Sequence, residues 1–532
     1  MTELDRSPDQ ELQRFDRLAD YFSKERAPWL KIGDEISFLT VRDAAGCDTS
    51  VPRQSLKDAL RKRFSAELLD WSVWRFAREC PRESACSLDF RLRNNWRLLL
   101  PVLGAAAIML EPSGAAAFCI WTLCAAPLIF LLCRIALTVL APERASSAAL
   151  LSDENLPNIT ILAPMFREAA SVQHFVRSMA ALDYPVAKLQ IEILLEADDR
   201  ETLLALSRTQ LGDHFDIVIV PASHPQTKPK ACNYGLATAY GELLVIYDAE
   251  DEPEPDQLRK AAARFAQAPE DVACLQAKLN IYNRSESWLT RQFALEYALW
   301  FDHMLPGLAR IGAPIPLGGT SNIFRTDVLK SVGGWDPFNV TEDAELGLRL
   351  ARRGWRVEVL DSTTWEEAPT TERAWIRQRT RWLKGYMQTW RAHRRCGGRS
   401  RLSFLSADLF LGGAVFAALT APALWTISLL DFADHRWRSP ATATLAIAQA
   451  LFIALAAYAP LKRGFFRLSP WALLAPFYWT MISVAAWRAL FQLHSAPTLW
   501  EKTEHGATAA AHVARAATLS RHQKPAGEAD PR

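Results

Sequence analysis

Leu243-Leu-Val-Ile-Tyr-Asp-Ala-Glu-Asp251 decides the fold. Leu243 to Tyr247 is a short uninterrupted apolar run, the pattern of a strand buried on both faces. It ends on Asp248, Glu250 and Asp251. Further upstream, Ile159 to Ala163, Ile191 to Leu195 and Ile217 to Val220 repeat the pattern, with helical patterns between them. The alternation predicts a parallel sheet with crossover helices over residues 157–400. Ligands of open parallel sheets bind beyond the carboxyl ends of the strands. Acids gather there in Pro164-Met-Phe-Arg-Glu168, Glu196-Ala-Asp-Asp199 and Asp248-Ala-Glu-Asp251. One such cluster alone reads as a solvated acidic turn; three at successive strand ends read as a site.

A diphosphate beside bare carboxylates would be repelled, and a divalent cation bridging the two removes the conflict. Asp248 and Glu250 have the alternation of a D-x-D metal clamp, and Lys230 in Lys228-Pro-Lys-Ala-Cys-Asn233 would offset phosphate charge. Thr341-Glu-Asp343 opens a helix that runs to Arg353 and stops at Gly354. Its plain reading is capping, with Thr341 as N-cap and acids suited to the helix dipole. Its functional reading makes Asp343 a general base toward an acceptor hydroxyl. Gln378, Arg381 and Trp382 share one helix face. Arg381 there suits a leaving diphosphate and Trp382 a sugar ring, although residues 373–395 also read as a basic amphipathic helix on lipid headgroups.

The chain has 532 residues, enough for several domains, with 61 basic and 59 acidic side chains, a balance that gives nucleic acid no electrostatic footing as a partner. Nine cysteines form no CxxC pair, so free buried thiols are expected rather than a zinc site or disulfide framework. Met1 to Arg14 is charged, and no signal peptide is read there. Residues 1–96 are polar, with a strand pattern at Glu35–Val41 and a helical one at Gln54–Phe64. Leu98–Leu110 and Ala115–Leu140 read as a transmembrane hairpin within residues 97–140. Apolar segments return at Phe404–Leu430, Ala441–Leu461 and Pro470–Leu493, the last able to span or to lie in the interface. Residues 507–532 read as a flexible tail.

Asp198-Asp199, Asp248-Ala-Glu-Asp251, Thr341-Glu-Asp343 and Gln378-Arg-Thr-Arg-Trp382, in this order and flanked by apolar helices, resemble the family 2 glycosyltransferases of the cellulose-synthase-like, bacterial membrane polysaccharide synthase type. The resemblance covers roughly residues 97–506. It implies a GT-A type, Rossmann-like α/β domain over 157–400, transmembrane and interfacial helices over 401–506, and a small α+β regulatory domain over 1–96. It implies that Pro164 and Glu168 hold the base, and that Asp198, Asp199, Lys230 and Asn233 serve the nucleotide side. Asp248 and Glu250 would hold Mg²⁺ or Mn²⁺, and Asp343 would be the base. Gln378, Arg381 and Trp382 would line the acceptor and diphosphate end, with Thr320, Ser321 and Asn322 of Gly318-Gly-Thr-Ser-Asn322 beside the acceptor. Trp500, Lys502 and Thr503, in Trp500-Glu-Lys-Thr-Glu-His-Gly506, are similar to a gating loop, which requires an even number of crossings before it.

The implied reaction is an inverting, metal-dependent hexosyl transfer from a UDP-sugar to a growing β-linked, glucan-like polysaccharide. The implied location is the cytoplasmic (inner) membrane, multi-pass, with the catalytic domain and residue 1 in the cytoplasm. Implied partners are the UDP-sugar, a glycan or lipid acceptor, membrane lipid, and cyclic di-GMP or export proteins, although no arginine motif compels cyclic di-GMP. Two features depart from the family pattern: Glu250 stands where aspartate is frequent, and the first apolar run is short. The alternatives are a non-processive glycolipid transferase and a catalytically inactive membrane sensor or scaffold. The apolar runs are too few for a transporter.

Overall fold

The computed structural model describes residues 38–42, 48–52, 57, 61–88, 114–142, 149–396, 407–434 and 439–502. The run Leu98–Leu110, Thr503 and the tail lie outside the described residues. Strands β1 (Phe38–Arg42) and β2 (Asp48–Pro52) pair antiparallel. The helix Ser65–Glu79 then lays Phe76 beneath the Arg349 guanidinium, 4.0 Å from the ring centre. Lys57 and Arg61 both reach Glu192 and Asp216, which ties this amino-terminal part to the sheet.

The main sheet holds β3 (Ile159–Met165), β4 (Leu189–Glu196), β5 (Phe215–Val220), β6 (Leu243–Ile246), β7 (Glu252–Pro253), β8 (Val272–Ile281), β9 (Asn322–Arg325) and β10 (Arg356–Glu366). Their order is β5-β4-β3-β6-β9-β8-β10-β7. The first four strands run parallel, as their apolar runs predict, and β4 is buried along its whole length. The sheet as a whole is mixed, not parallel. β9 lies antiparallel between β6 and β8, with Val245 and Leu275 both opposite Ile323. The chain enters β9 from a loop at the carboxyl edge and must therefore run away from that edge. Four residues of strand are too short to announce this in the sequence.

Asp408–Ala433, Thr442–Arg463 and Phe466–Ser495 are helices long and apolar enough to cross a membrane, and only 22%, 33% and 33% of their apolar windows are buried. The remaining apolar faces call for lipid or protein cover. The last, a candidate for either spanning or interfacial placement, is continuous over 30 residues. A fourth helix, Gly114–Leu140, packs beside Thr442–Arg463. It meets the helix Leu305–Arg310 at Gly307, where an added Cβ would lie 2.3 Å from the Leu137 carbonyl oxygen. Gly307→Ala must therefore push the two helices apart, at a cost of about 1–3 kcal/mol. We expect a lower melting temperature in detergent, measured by intrinsic fluorescence; an unchanged value would deny the close approach.

Candidate functional site

One edge of the sheet carries the site. β3, β4 and β6 end there, β9 begins there, and β10, which runs parallel to β8, delivers Glu366 and Glu367 there. Two non-glycine residues in left-handed conformation shape the edge: Arg167 (φ 54°) after β3 and Ser321 (φ 57°) before β9. The Arg167 turn aims its N–H at Asp199 Oδ2, while Asp199 Oδ1 accepts from Thr202 N at 3.1 Å and caps the next helix. Asp251 ties the acidic turn together, accepting from Asp248 N at 2.7 Å and from the Thr320 hydroxyl.

A cavity of about 1150 Å³ opens from this edge. Pro164, Glu168, Asp248, Glu250 and Asp343 line it, as do Gln378, Arg381, Trp382, Trp500 and Lys502. Sequence-predicted residues outside the lining have other partners. Lys230 is fully buried on Glu196 at 2.7 Å, and Asn233 holds the Trp335 backbone through both its amide atoms. Asp199 serves the two turns just described, and Asp198 accepts from Gln226 at 2.9 Å. Ser321 bonds Thr364, and Asn322 bonds the Gly318 carbonyl. Thr320 bonds the Ile246 carbonyl as well as Asp251.

The charges in the cavity are unbalanced. Lys228, not singled out in the sequence, sits 2.6 Å from Asp248 and donates to the Gly319 carbonyl. Burial works against its ammonium, but Asp248 and Asp343 outweigh that and raise its pKa. Burial pushes Glu250 well above the usual carboxylate range, with Glu168 and Asp248 adding to the rise. Glu366, another residue the sequence reading missed, is raised to about 8, by burial first and then by Asp248. Glu168 is raised by burial, while Lys502 at 2.9 Å opposes the shift.

Among the described residues no group of three His, Cys, Asp or Glu is gathered as a metal site. The donor chemistry nevertheless fits a divalent cation. Asp248 and Glu250 share one turn, and Glu168 Oε2 has no hydrogen-bond partner among the described residues.

Asp343 stands in the first turn of the helix Glu342–Arg352. Thr341 makes no side-chain cap; its backbone N–H and its hydroxyl both donate to Asn339. Trp335 Nε1 donates to Asp343 Oδ1 at 3.1 Å. Burial raises the Asp343 pKa well above the usual range, Glu342 adds to the rise, and Lys228 opposes it. The helix Glu372–Cys396 brings Gln378, Arg381 and Trp382 to the opposite wall. Gln378 Oε1 and Arg381 Nε are buried without hydrogen-bond partners among the described residues.

A strap, residues 496–502, lines part of the cavity. Trp500 stacks on Arg381 at 4.4 Å, and Lys502 bonds the Phe166 and Arg167 carbonyls. Lys384 fastens the strap through the Ala496 (3.0 Å) and Leu499 (2.9 Å) carbonyls.

An acid-lined GT-A-type sheet edge joined to apolar helices defines a class, and comparison with known proteins shows what the chain is similar to. Residues 243–489 match the family model described as "Glycosyl transferase family group 2". The "Probable glycosyltransferase YdaM" of Bacillus subtilis is 28% identical over 239 residues, 44% of this chain and 56% of that protein. The "Beta-monoglucosyldiacylglycerol synthase" of Trichormus variabilis is 28% identical over 246 residues, 44% of this chain and 51% of that protein. The "Glucomannan 4-beta-mannosyltransferase 2" of Arabidopsis thaliana is 27% identical over 245 residues, 44% of this chain and 45% of that protein. The chain spans about half the length of these relatives. Over residues 243–489 it is similar to the family 2 glycosyltransferases.

The strap gives a direct test of the site's construction. Lys384→Met keeps the stem but strands two carbonyls, at about 1–3 kcal/mol for each buried group left unsatisfied. Chymotrypsin should then cut near Trp500 at least tenfold faster; unchanged protection would mean that Lys384 does not hold the strap.

Proposed function

We propose that the chain transfers a hexosyl unit from a UDP-sugar, with inversion, to a hydroxyl acceptor at a membrane, extending a β-linked glycan. One observation carries this reading: Asp343, Asp248 and Arg381 open into a single cavity although they come from three separate stretches of sequence. In this reading Pro164 and Glu168 receive the base. Asp248 and Glu250 hold Mg²⁺ or Mn²⁺, which when bound neutralises diphosphate oxygens and makes UDP a better leaving group. Lys228 and Arg381 bind the diphosphate as its charge grows. The Trp335 indole fixes Asp343 Oδ1 and leaves Oδ2 to take the acceptor proton. The acceptor oxygen attacks the anomeric carbon from the face opposite UDP, so an α-linked donor gives a β-linked product. Trp500 and Lys502 keep water from competing.

The proposed setting is a cytoplasmic catalytic domain on a multi-pass protein of the inner membrane, with the amino-terminal region regulatory. A second reading, a glycolipid product, is favoured by the cavity's continuation among the apolar helices. A screen of nucleotide-sugars for UDP release in purified membranes, with sizing of the product, separates the two.

Asp343→Asn should abolish turnover, at least a thousandfold, and leave the Kd for UDP within threefold. Normal turnover in that variant would remove Asp343 from the chemistry. Chelation with EDTA should stop UDP release, and added Mn²⁺ or Mg²⁺ should restore it; release that continues in EDTA would exclude the cation.

A further inference from the structure

The cavity does not end at the carboxylates. It runs on between the helices Gly114–Leu140, Ala414–Ala433 and Pro440–Tyr458, past Leu131, Ala417, Ala421, Leu424, Ala448 and Phe452. Alanines on two facing helices keep this arm open, and its wall is apolar. A saccharide would find few hydroxyl or amide partners there, whereas a hydrocarbon chain needs none.

One side chain breaks the apolar lining. Arg134 projects into the cavity from a helix that is otherwise apolar between Ala115 and Leu140. It lies six residues before the helix end, about 9 Å at 1.5 Å per residue. Arg134 packs between the Phe130 and Phe452 rings (5.3 and 5.2 Å), and its Nε meets Met304 Sδ at 3.4 Å. It makes no ion pair with any described residue. Glu296, an acid that lines the same cavity, is already engaged by both Arg379 terminal nitrogens (2.9 and 2.6 Å) and by Tyr478 (2.6 Å). Across the same arm Gln449 Oε1 is buried without a partner among the described residues. A guanidinium held between apolar helices calls for an anion, and its fork of donors matches phosphate.

We infer that this arm binds a phosphate-bearing membrane lipid, with its phosphate on Arg134 and its chains along the alanine-lined walls, and presents the lipid headgroup as the acceptor. This deepens the glycolipid reading of the proposed function and rests on its transfer chemistry for the acceptor role. The headgroup hydroxyl gives its proton to Asp343. Its oxygen forms the bond to the anomeric carbon as the bond from that carbon to the UDP oxygen breaks, and UDP leaves with the electron pair.

The test uses the full chain in phosphatidylcholine nanodiscs, doped with phosphatidylglycerol or with diacylglycerol, each carrying a photoreactive acyl chain. Phosphatidylglycerol has both a phosphate and headgroup hydroxyls; diacylglycerol has a hydroxyl alone. Phosphatidylglycerol should label peptides containing Ala417–Leu424 and Ala448–Phe452. Arg134→Gln should cut that labelling at least fivefold, Arg134→Lys should keep most of it, and diacylglycerol labelling should not respond to either change. Equal phosphatidylglycerol labelling in wild type and Arg134→Gln overturns the site. Loss in both variants overturns the role of the charge. With a radiolabelled UDP-sugar, label should enter the organic phase with phosphatidylglycerol, and Arg134→Gln should raise the KM for that lipid about tenfold. UDP release onto saccharide with no extractable label overturns the acceptor assignment. Failure of UDP release with every acceptor strikes the transferase reading instead, and the labelling result stands apart from it.

Discussion

Nine acidic side chains line one cavity against five lysines and arginines, and most are packed away from water. This electrostatic excess is the constraint on which the rest of the structure depends. Carboxylates in such a place either take up protons or wait for a cation, and the raised pKa values of Glu250, Glu366 and Asp343 record the strain of their burial. A fold would not keep this arrangement for stability, since apolar residues of the same volume would pack better. Its use lies in binding something that restores the charge balance, which a divalent cation carrying a diphosphate would do.

The sheet makes the crowding possible. Five strands contribute to the edge, and the reversal of β9 brings the Gly318–Ser321 loop back beside Asp248. Small residues there let Lys228 reach the Gly319 carbonyl and Asp248 together. The opposite wall comes from the helix Glu372–Cys396, which packs on the apolar helix Ala475–Ser495. Gly307 sets the apolar helix that carries Arg134 against the same domain.

The legible part of this site was whatever a buried strand announces. Apolar runs followed by acids gave β3, β4 and β6, and with them Glu168, Asp248 and Glu250. Glu366 carries the same signal in Trp365-Glu-Glu367, but β10 is half exposed and mixes polar residues through Arg356–Glu366, so no apolar run pointed to it. Lys228 and Lys230 stand two apart on one helix and face different ways. Only the fold tells that Lys228 meets the cavity and Lys230 meets Glu196. Asp199 and Asn233 have the chemistry of ligands, yet here they fasten backbone, as buried polar side chains must when donors and acceptors surround them. The antiparallel β9 was hidden because four residues carry no period.

The central claim is that the crowded carboxylates are kept for a cation and a diphosphate together. The most direct measurement is calorimetric titration of UDP into the purified chain, with and without Mn²⁺. Binding energies linked through one site are reciprocal. The account predicts that Mn²⁺ tightens UDP at least tenfold and that UDP tightens Mn²⁺ by the same factor. Independent binding of the two, or UDP binding equally well in chelator, would contradict it.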